Sequence, residues 1–242
     1  MKIAICIPHS YENFQKPFTK SLLGLVSSFY IWNNSISSPH SIELYIQDEG
    51  YIDFMRERLA EVAIAKGADY LLWLDTDMTF PLDIIERMIK RFEEEGELEA
   101  VTGLYVHKTP PFMPHTYSSI TEEGTFKVAA GFPLNEPFGV EGAGFGALMI
   151  KASVFTRTPK PWFEFTYPTP TTKGKGEDLT FFLKAQPINM ICDPTISCRH
   201  YLQNGFDISH YVKYNNLLVL SDVIEPTEEQ VKHIVDEMYG SK

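Results

Sequence analysis

Cysteine is scarce in this chain of 242 residues. Cys6, Cys192 and Cys198 are odd in number, and no two are spaced as a metal-binding pair. That pattern excludes a disulfide scaffold and a thiolate zinc site, and reads as reduced thiols of a cytoplasmic protein. Basic charge is also short. Lys and Arg total 21 against 32 Asp and Glu, a formal net charge of -11, with a pI near 5.1. So acidic a chain is poorly matched to a phosphate backbone, which disfavours sequence-independent nucleic-acid binding. No apolar run reaches the roughly 20 residues that a membrane span needs. Met1 to Pro8 is too short for the apolar core of a signal peptide and reads instead as a first strand. No internal repeat and no clear second domain is visible.

What the chain does have is core-forming material. Hydrophobic residues make up 44% and aromatics 13%, enough for one large α/β domain. The stretch Ala68 to Pro81 organises it. Tyr70 to Leu74 is an apolar run of strand length, suited to burial on both faces. It ends in Asp75-Thr76-Asp77, and a helical pattern follows Pro81 through Leu82, Ile85, Ile89 and Phe92. Ligands of open α/β sheets bind beyond the carboxyl ends of the strands, where this acidic turn lies. In extended backbone, residues i and i+2 share a face, so both carboxylates can address one ion. Hard oxygen ligands suit Mg²⁺ or Mn²⁺ bridged to phosphate. The plainer reading is an ordinary acidic turn before a helix.

Around that stretch the order is strand (Ile3 to Ile7), helix (from Pro17, with Phe18, Leu22, Leu25 and Phe29), strand (Ile42 to Ile46) and helix. This second helix runs from Asp53 to Lys66, with Met55, Leu59 and Val62 inward. A βαβαβα series predicts a mainly parallel sheet. A strand from Ala100 to Val106 comes next. A Pro- and aromatic-rich excursion follows, with a hairpin near Glu123-Gly124. Gly142-Ala143-Gly144 leads into a strand at Ala147 to Ile150; these glycines suit either close approach to a ligand or a tight turn. Lys160 to Lys175 reads as a mobile loop. Gly176-Glu177-Asp178 opens a helix, Ile188 to Cys192 is a strand, and Asp193-Pro194 reads as a turn. Helices are expected around His210 to Leu218 and after Thr227.

Taken in order, Asp75-Thr76-Asp77, Gly142-Ala143-Gly144, Gly176-Glu177-Asp178 and His200 resemble nucleotide-sugar-dependent glycosyltransferases of the GT-A fold. The match runs from Lys2 to about Tyr201. It implies an α/β GT-A (Rossmann-like) domain over residues 1–205, a mixed but mainly parallel sheet flanked by helices. Residues 206–242 would be a C-terminal helical extension packed on the same domain. It further implies a Mn²⁺ or Mg²⁺ cofactor held by Asp77 and His200, with Asp75 contacting the metal or the donor ribose. The donor would be a nucleotide-diphosphate sugar, lying against Pro8, His9, Tyr11, Glu12, Arg56, Asp75, Thr76, Gly142, Ala143 and Gly144. Asp178, or Glu177, would take the proton of an acceptor hydroxyl. The acceptor itself (a glycan, small molecule, protein or modified base) and the stereochemistry stay open. A nucleotidyltransferase would need a Gly-rich basic loop after the first strand, which Pro8-His9-Ser10-Tyr11 lacks. A non-catalytic nucleotide- or sugar-binding module would not need Asp77, Asp178 and His200 intact.

Overall fold

The inner strands of the central sheet are apolar on both sides, because helices cover both faces. The computed structural model describes residues 1–10, 14–37, 39–121, 124–168, 174–201 and 205–239. The first half runs β1 (Lys2–Pro8), α1 (Lys16–Asn33), β2 (Ser41–Gln47), α2 (Ile52–Ala65), β3 (Tyr70–Leu74), β4 (Met78–Thr79), α3 (Ile84–Glu94) and β5 (Ala100–Leu104). The excursion holds β6 (Thr116–Ile120), β7 (Phe126–Val128), β8 (Phe132–Pro133), β9 (Phe138–Gly139) and β10 (Gly142–Ala143). Then come β11 (Ala147–Lys151), α4 (Ala152–Arg157), α5 (Glu177–Ala185), β12 (Met190–Ser197), β13 (Arg199–Tyr201) and β14 (Gly205–Phe206). The chain closes with α6 (Ile208–Tyr214), β15 (Val219–Leu220), β16 (Val223–Ile224) and α7 (Glu228–Tyr239).

Seven strands form the main sheet in the order β2-β1-β3-β11-β5-β12-β9. β2, β1, β3, β5 and β12 share one direction, while β11 and β9 oppose it. This is the mixed, mainly parallel sheet expected. Side-chain alternation splits the core into two layers. Ile3, Ile5, Ile7, Leu72 and Leu74 face α1 and α3, where Phe18, Leu25, Phe29, Ile85 and Ile89 bury against them. Ala4, Cys6, Leu71 and Trp73 face the other way, towards Leu59, Ala60, Ala63, Phe155, Phe181 and Phe182. The three free cysteines are all buried, and burial pushes each thiol up.

Three local expectations are corrected. Val62 points outward; Ala60 and Ala63 complete the stripe of α2 instead, small enough to let the helix sit close on the sheet. Leu82 is exposed because α3 begins only at Ile84, so the helical period does not reach it. It lies across Gly24 of α1, where a methyl would collide with it. Asp193-Pro194 is no turn but part of β12, at a register shift that accommodates the proline. Asp193 is buried there because Arg91 Nε donates to it at 2.7 Å.

The C-terminal stretch packs on through strands as well as helices. Ile224 of β16 pairs with Phe132 of β8. Tyr211 of α6 is fully buried and donates its hydroxyl to the Ala130 carbonyl at 3.0 Å. The helix expected to reach Leu218 stops at Tyr214, since Asn216 takes a left-handed φ of 50°. Among the described residues no helix is long and apolar enough to cross a membrane.

Candidate active site

Two charged poles form at the carboxyl end of β3. The first is built by strand pairing. β4 follows Asp77 directly and pairs with β13, setting His200 opposite Met78. The Tyr201 N–H donates to the Asp77 carbonyl at 2.7 Å. His200 Nε2 thereby faces Asp77 Oδ2 at 3.4 Å. His200 Nδ1 lies 2.9 Å from the Val106 carbonyl, which can only accept, so Nδ1 carries the proton. With Nδ1 committed to Val106, it is Nε2 that faces Asp77. Lys108 Nζ donates to the same Oδ2 at 2.6 Å. Burial works against charge on Asp77, but His200 and Lys108 outweigh it and hold the carboxyl down at about 2.

The second pole centres on Arg56. Only 4% of this residue is exposed. Its Nη1 donates to Glu177 Oε1 at 2.5 Å, and its Nη2 lies 3.2 Å from both oxygens of Asp75. The guanidinium also lies over the Phe145 ring, 5.1 Å from its centroid. Burial would lower the Arg56 pKa, yet Asp75, Glu177 and Asp178 together raise it. Glu177 and Asp178 occupy the first turn of α5, after Gly176. Asp178 Oδ1 accepts from the Leu179 N–H at 2.7 Å. Enclosure of the Asp178 carboxyl pushes it up to about 6, and the neighbouring Glu177 carboxylate adds to the rise.

Between the poles stands an aromatic wall. Tyr105 stacks on His115, with centroids 4.9 Å apart, and His115 on His107 at 3.6 Å. His200 meets both Tyr105 and His115 edge-on at 5.7 Å. Burial lowers His107 to about 4 and holds His115 well below the usual imidazole value, so both are neutral near pH 7. The Tyr105 hydroxyl accepts from the Gly146 N–H at 3.0 Å, and Gly146 in turn accepts from the Asp75 N–H at 3.2 Å.

The remaining predicted residues divide. β1 and β3 are parallel neighbours, so Pro8 and His9 end beside the acidic turn. His9 Nδ1 lies 3.5 Å from Thr76 Oγ1, and both residues are buried. Tyr11 and Glu12 lie outside the described residues, as do Glu123 and residues 169–173 of the expected mobile loop. Ahead of that segment, Trp162 and Phe163 are buried. Gly142 and Ala143 pair with Tyr117 and Thr116 of β6. Gly144 packs against the Tyr105 hydroxyl, leaving no room for a methyl. Asp75 is turned to Arg56, so Asp75, Asp77 and His200 do not make one cluster. Among the described residues, no group of three His, Cys, Asp or Glu side chains is placed to hold a metal.

Sequence reasoning missed Lys108, Tyr105, His107 and His115. The available signal was the i, i+2 spacing of Tyr105 and His107 at the carboxyl end of a buried strand, which puts both on one face.

No protein-family model matches the chain, and no curated protein sequence matches it. Solved structures do. A197 from STIV superposes with a TM-score of 0.56 at 18% identity, covering 94% of this chain and 95% of that one. GalNAc-T7, solved with UDP, GalNAc and Mn²⁺, superposes with a TM-score of 0.52 at 9% identity over 91% of this chain. This is the GT-A fold. The chain spans about half of GalNAc-T7, 48% of its length.

Proposed function

We propose that the chain is a metal-dependent glycosyltransferase, transferring a sugar from a nucleotide-diphosphate sugar to an acceptor hydroxyl. The observation that carries this reading is the facing pair Asp77 Oδ2 and His200 Nε2, with His200 oriented through Val106. One carboxylate and one imidazole make a donor set that Mn²⁺ takes more readily than the oxygen-seeking Mg²⁺, and a carbonyl that fixes the other ring nitrogen is the usual support of a metal-bound histidine. Two protein ligands suffice where a substrate diphosphate supplies others. A divalent ion at this position would offset the negative charge that develops on the departing nucleoside diphosphate.

The chain's own residues do the rest. Asp178 accepts the proton of the attacking hydroxyl; a carboxylate titrating near 6 is still ionised at pH 7 but basic enough to serve. Arg56 is a positioning residue, tying Asp75 to Glu177 and so fixing β3 against the first turn of α5. Pro8, His9 and Thr76 form the floor on which the nucleotide rests. The aromatic wall excludes water from one side of the site, which limits hydrolysis of the donor.

Calorimetry with a panel of nucleoside-diphosphate sugars, with and without Mn²⁺, tests the reading. One donor should bind only with the metal, and Asp77→Ala should lose that binding while keeping its fold. Failure of every donor to bind, or metal-independent binding that Asp77→Ala leaves intact, overturns it.

A further inference from the structure

Lys108 is the cation nearest Asp77. Its Nζ sits 2.6 Å from Oδ2, the same oxygen that faces His200 at 3.4 Å. An ammonium and a divalent ion cannot both take that oxygen without strong repulsion in a part-buried site. The lysine has to leave when the ion enters. Nothing in the backbone has to move for this. His107 N–H donates to Met113 O at 2.9 Å and His115 N–H to Tyr105 O at 3.0 Å. With Val106 bridging Pro114, these bonds hold the segment in a short ladder. The four-carbon stem above it is free to rotate, and the side chain keeps 27% of its surface exposed.

A displaced ammonium then needs a new anion. Asp75 is already taken by Arg56, and the wall beside it is made of imidazole and phenol rings. An anion lying against the ion, within the swing of the stem, is the partner the geometry leaves open. Resting on the glycosyltransferase reading, we infer that Lys108 is an exchangeable counter-ion. It neutralises Asp77 until a divalent ion and a diphosphate arrive, and then pairs with the diphosphate. The consequence is a coupling. Metal alone must evict Lys108 with no return, whereas metal plus diphosphate gives the ammonium a second partner. Each ligand therefore tightens the other by the same factor, as linkage requires.

Two probes on the intact chain test this, Mn²⁺ alone and inorganic pyrophosphate, followed by calorimetry and by the paramagnetic signal of free Mn²⁺. In the wild type, pyrophosphate should tighten Mn²⁺ by about tenfold or more, within the usual span of binding couplings. Lys108→Met should bind Mn²⁺ alone more tightly than wild type and show a smaller coupling, keeping only the part that the ion's direct bonds to pyrophosphate supply. Lys108→Arg should restore the coupling. Mn²⁺ affinity and coupling both unchanged in Lys108→Met, or Mn²⁺ weakened, overturn the inference. Asp77→Ala separates the two readings. If it abolishes Mn²⁺ binding while Lys108→Met behaves as wild type, the lysine role alone falls. If Asp77→Ala binds Mn²⁺ like wild type, or wild type does not bind it, the metal site falls and the lysine role with it.

Discussion

Asp178 carries the most at the scale of single residues. Asn keeps its shape and can still accept from the Leu179 N–H, but cannot take a proton. Turnover of Asp178→Asn should fall about a hundredfold or more, with donor affinity retained, if proton transfer is its task. In the wild type, turnover should rise with pH through about 6 and level off, following ionisation of this carboxyl; the variant's residual rate should lack that limb. Stability moves the opposite way. The folded pKa lies above the unfolded value, so Asp178 contributes stability below about pH 4 that is lost as pH rises through 6. Asp178→Asn should therefore melt higher than wild type at pH 7, and the gain should vanish near pH 4. A melting temperature that is lower at both pH values would show that the carboxylate serves the helix end rather than the reaction. Asp75 and Asp77 follow an apolar strand and Glu177 and Asp178 open a helix, so local pattern marked them as candidates; His200 was singled out only by its place in the resemblance. The roles of Arg56 and Lys108 were not legible, since their carboxylate partners lie 19, 121 and 31 residues away, and no local period encodes such pairings.

Among the elements, the hinge of the design is the close packing of β10, β5 and the turn before β11. Gly144 abuts the Tyr105 hydroxyl, which is itself bonded to the Gly146 N–H. Gly144→Ala should cost about 1–3 kcal/mol, the usual range for an overpacked core, read as a drop in thermal midpoint. Adding Tyr105→Phe removes the colliding oxygen and should recover part of the loss; a further drop in the double variant would reject steric conflict as the cause. The sequence left two uses open for this glycine stretch, turn or ligand approach, because both need an absent side chain. Only the position of Tyr105, from another strand, decides what Gly144 touches. Strand existence was readable from apolar runs, as Tyr70–Leu74 shows residue for residue. Strand direction was not. β11 looks like any buried strand, and its antiparallel placement between β3 and β5 follows from the excursion returning to the edge it left. Pro194 misled for a related reason: proline usually ends a strand, unless a register shift absorbs it.

For the molecule as a whole, the sequence carries no family resemblance after Tyr201, and residues 206–242 were expected as an extension packed on the same domain. Tyr211, Ile224 and Ile234 join the same buried cluster as Trp73 and Phe145. Tyr211→Ala should cost about 3–5 kcal/mol, and circular dichroism should still show one transition. Two separated transitions, with the early one confined to the C-terminal segment, would mark an independent appendage instead. The three buried thiols supply a clock for the same event. Their sulfurs are closed to reagents and held protonated by burial, so an alkylating agent must wait for the structure to open. Cys6 lies on β1 and Cys192 on β12, near opposite edges of the sheet. If the protein opens as one unit, both become modified at one shared rate, and any ligand that binds only the folded chain slows both equally. Mass spectrometry of the labelled peptides would thus report binding without knowledge of the donor, the acceptor or the reaction.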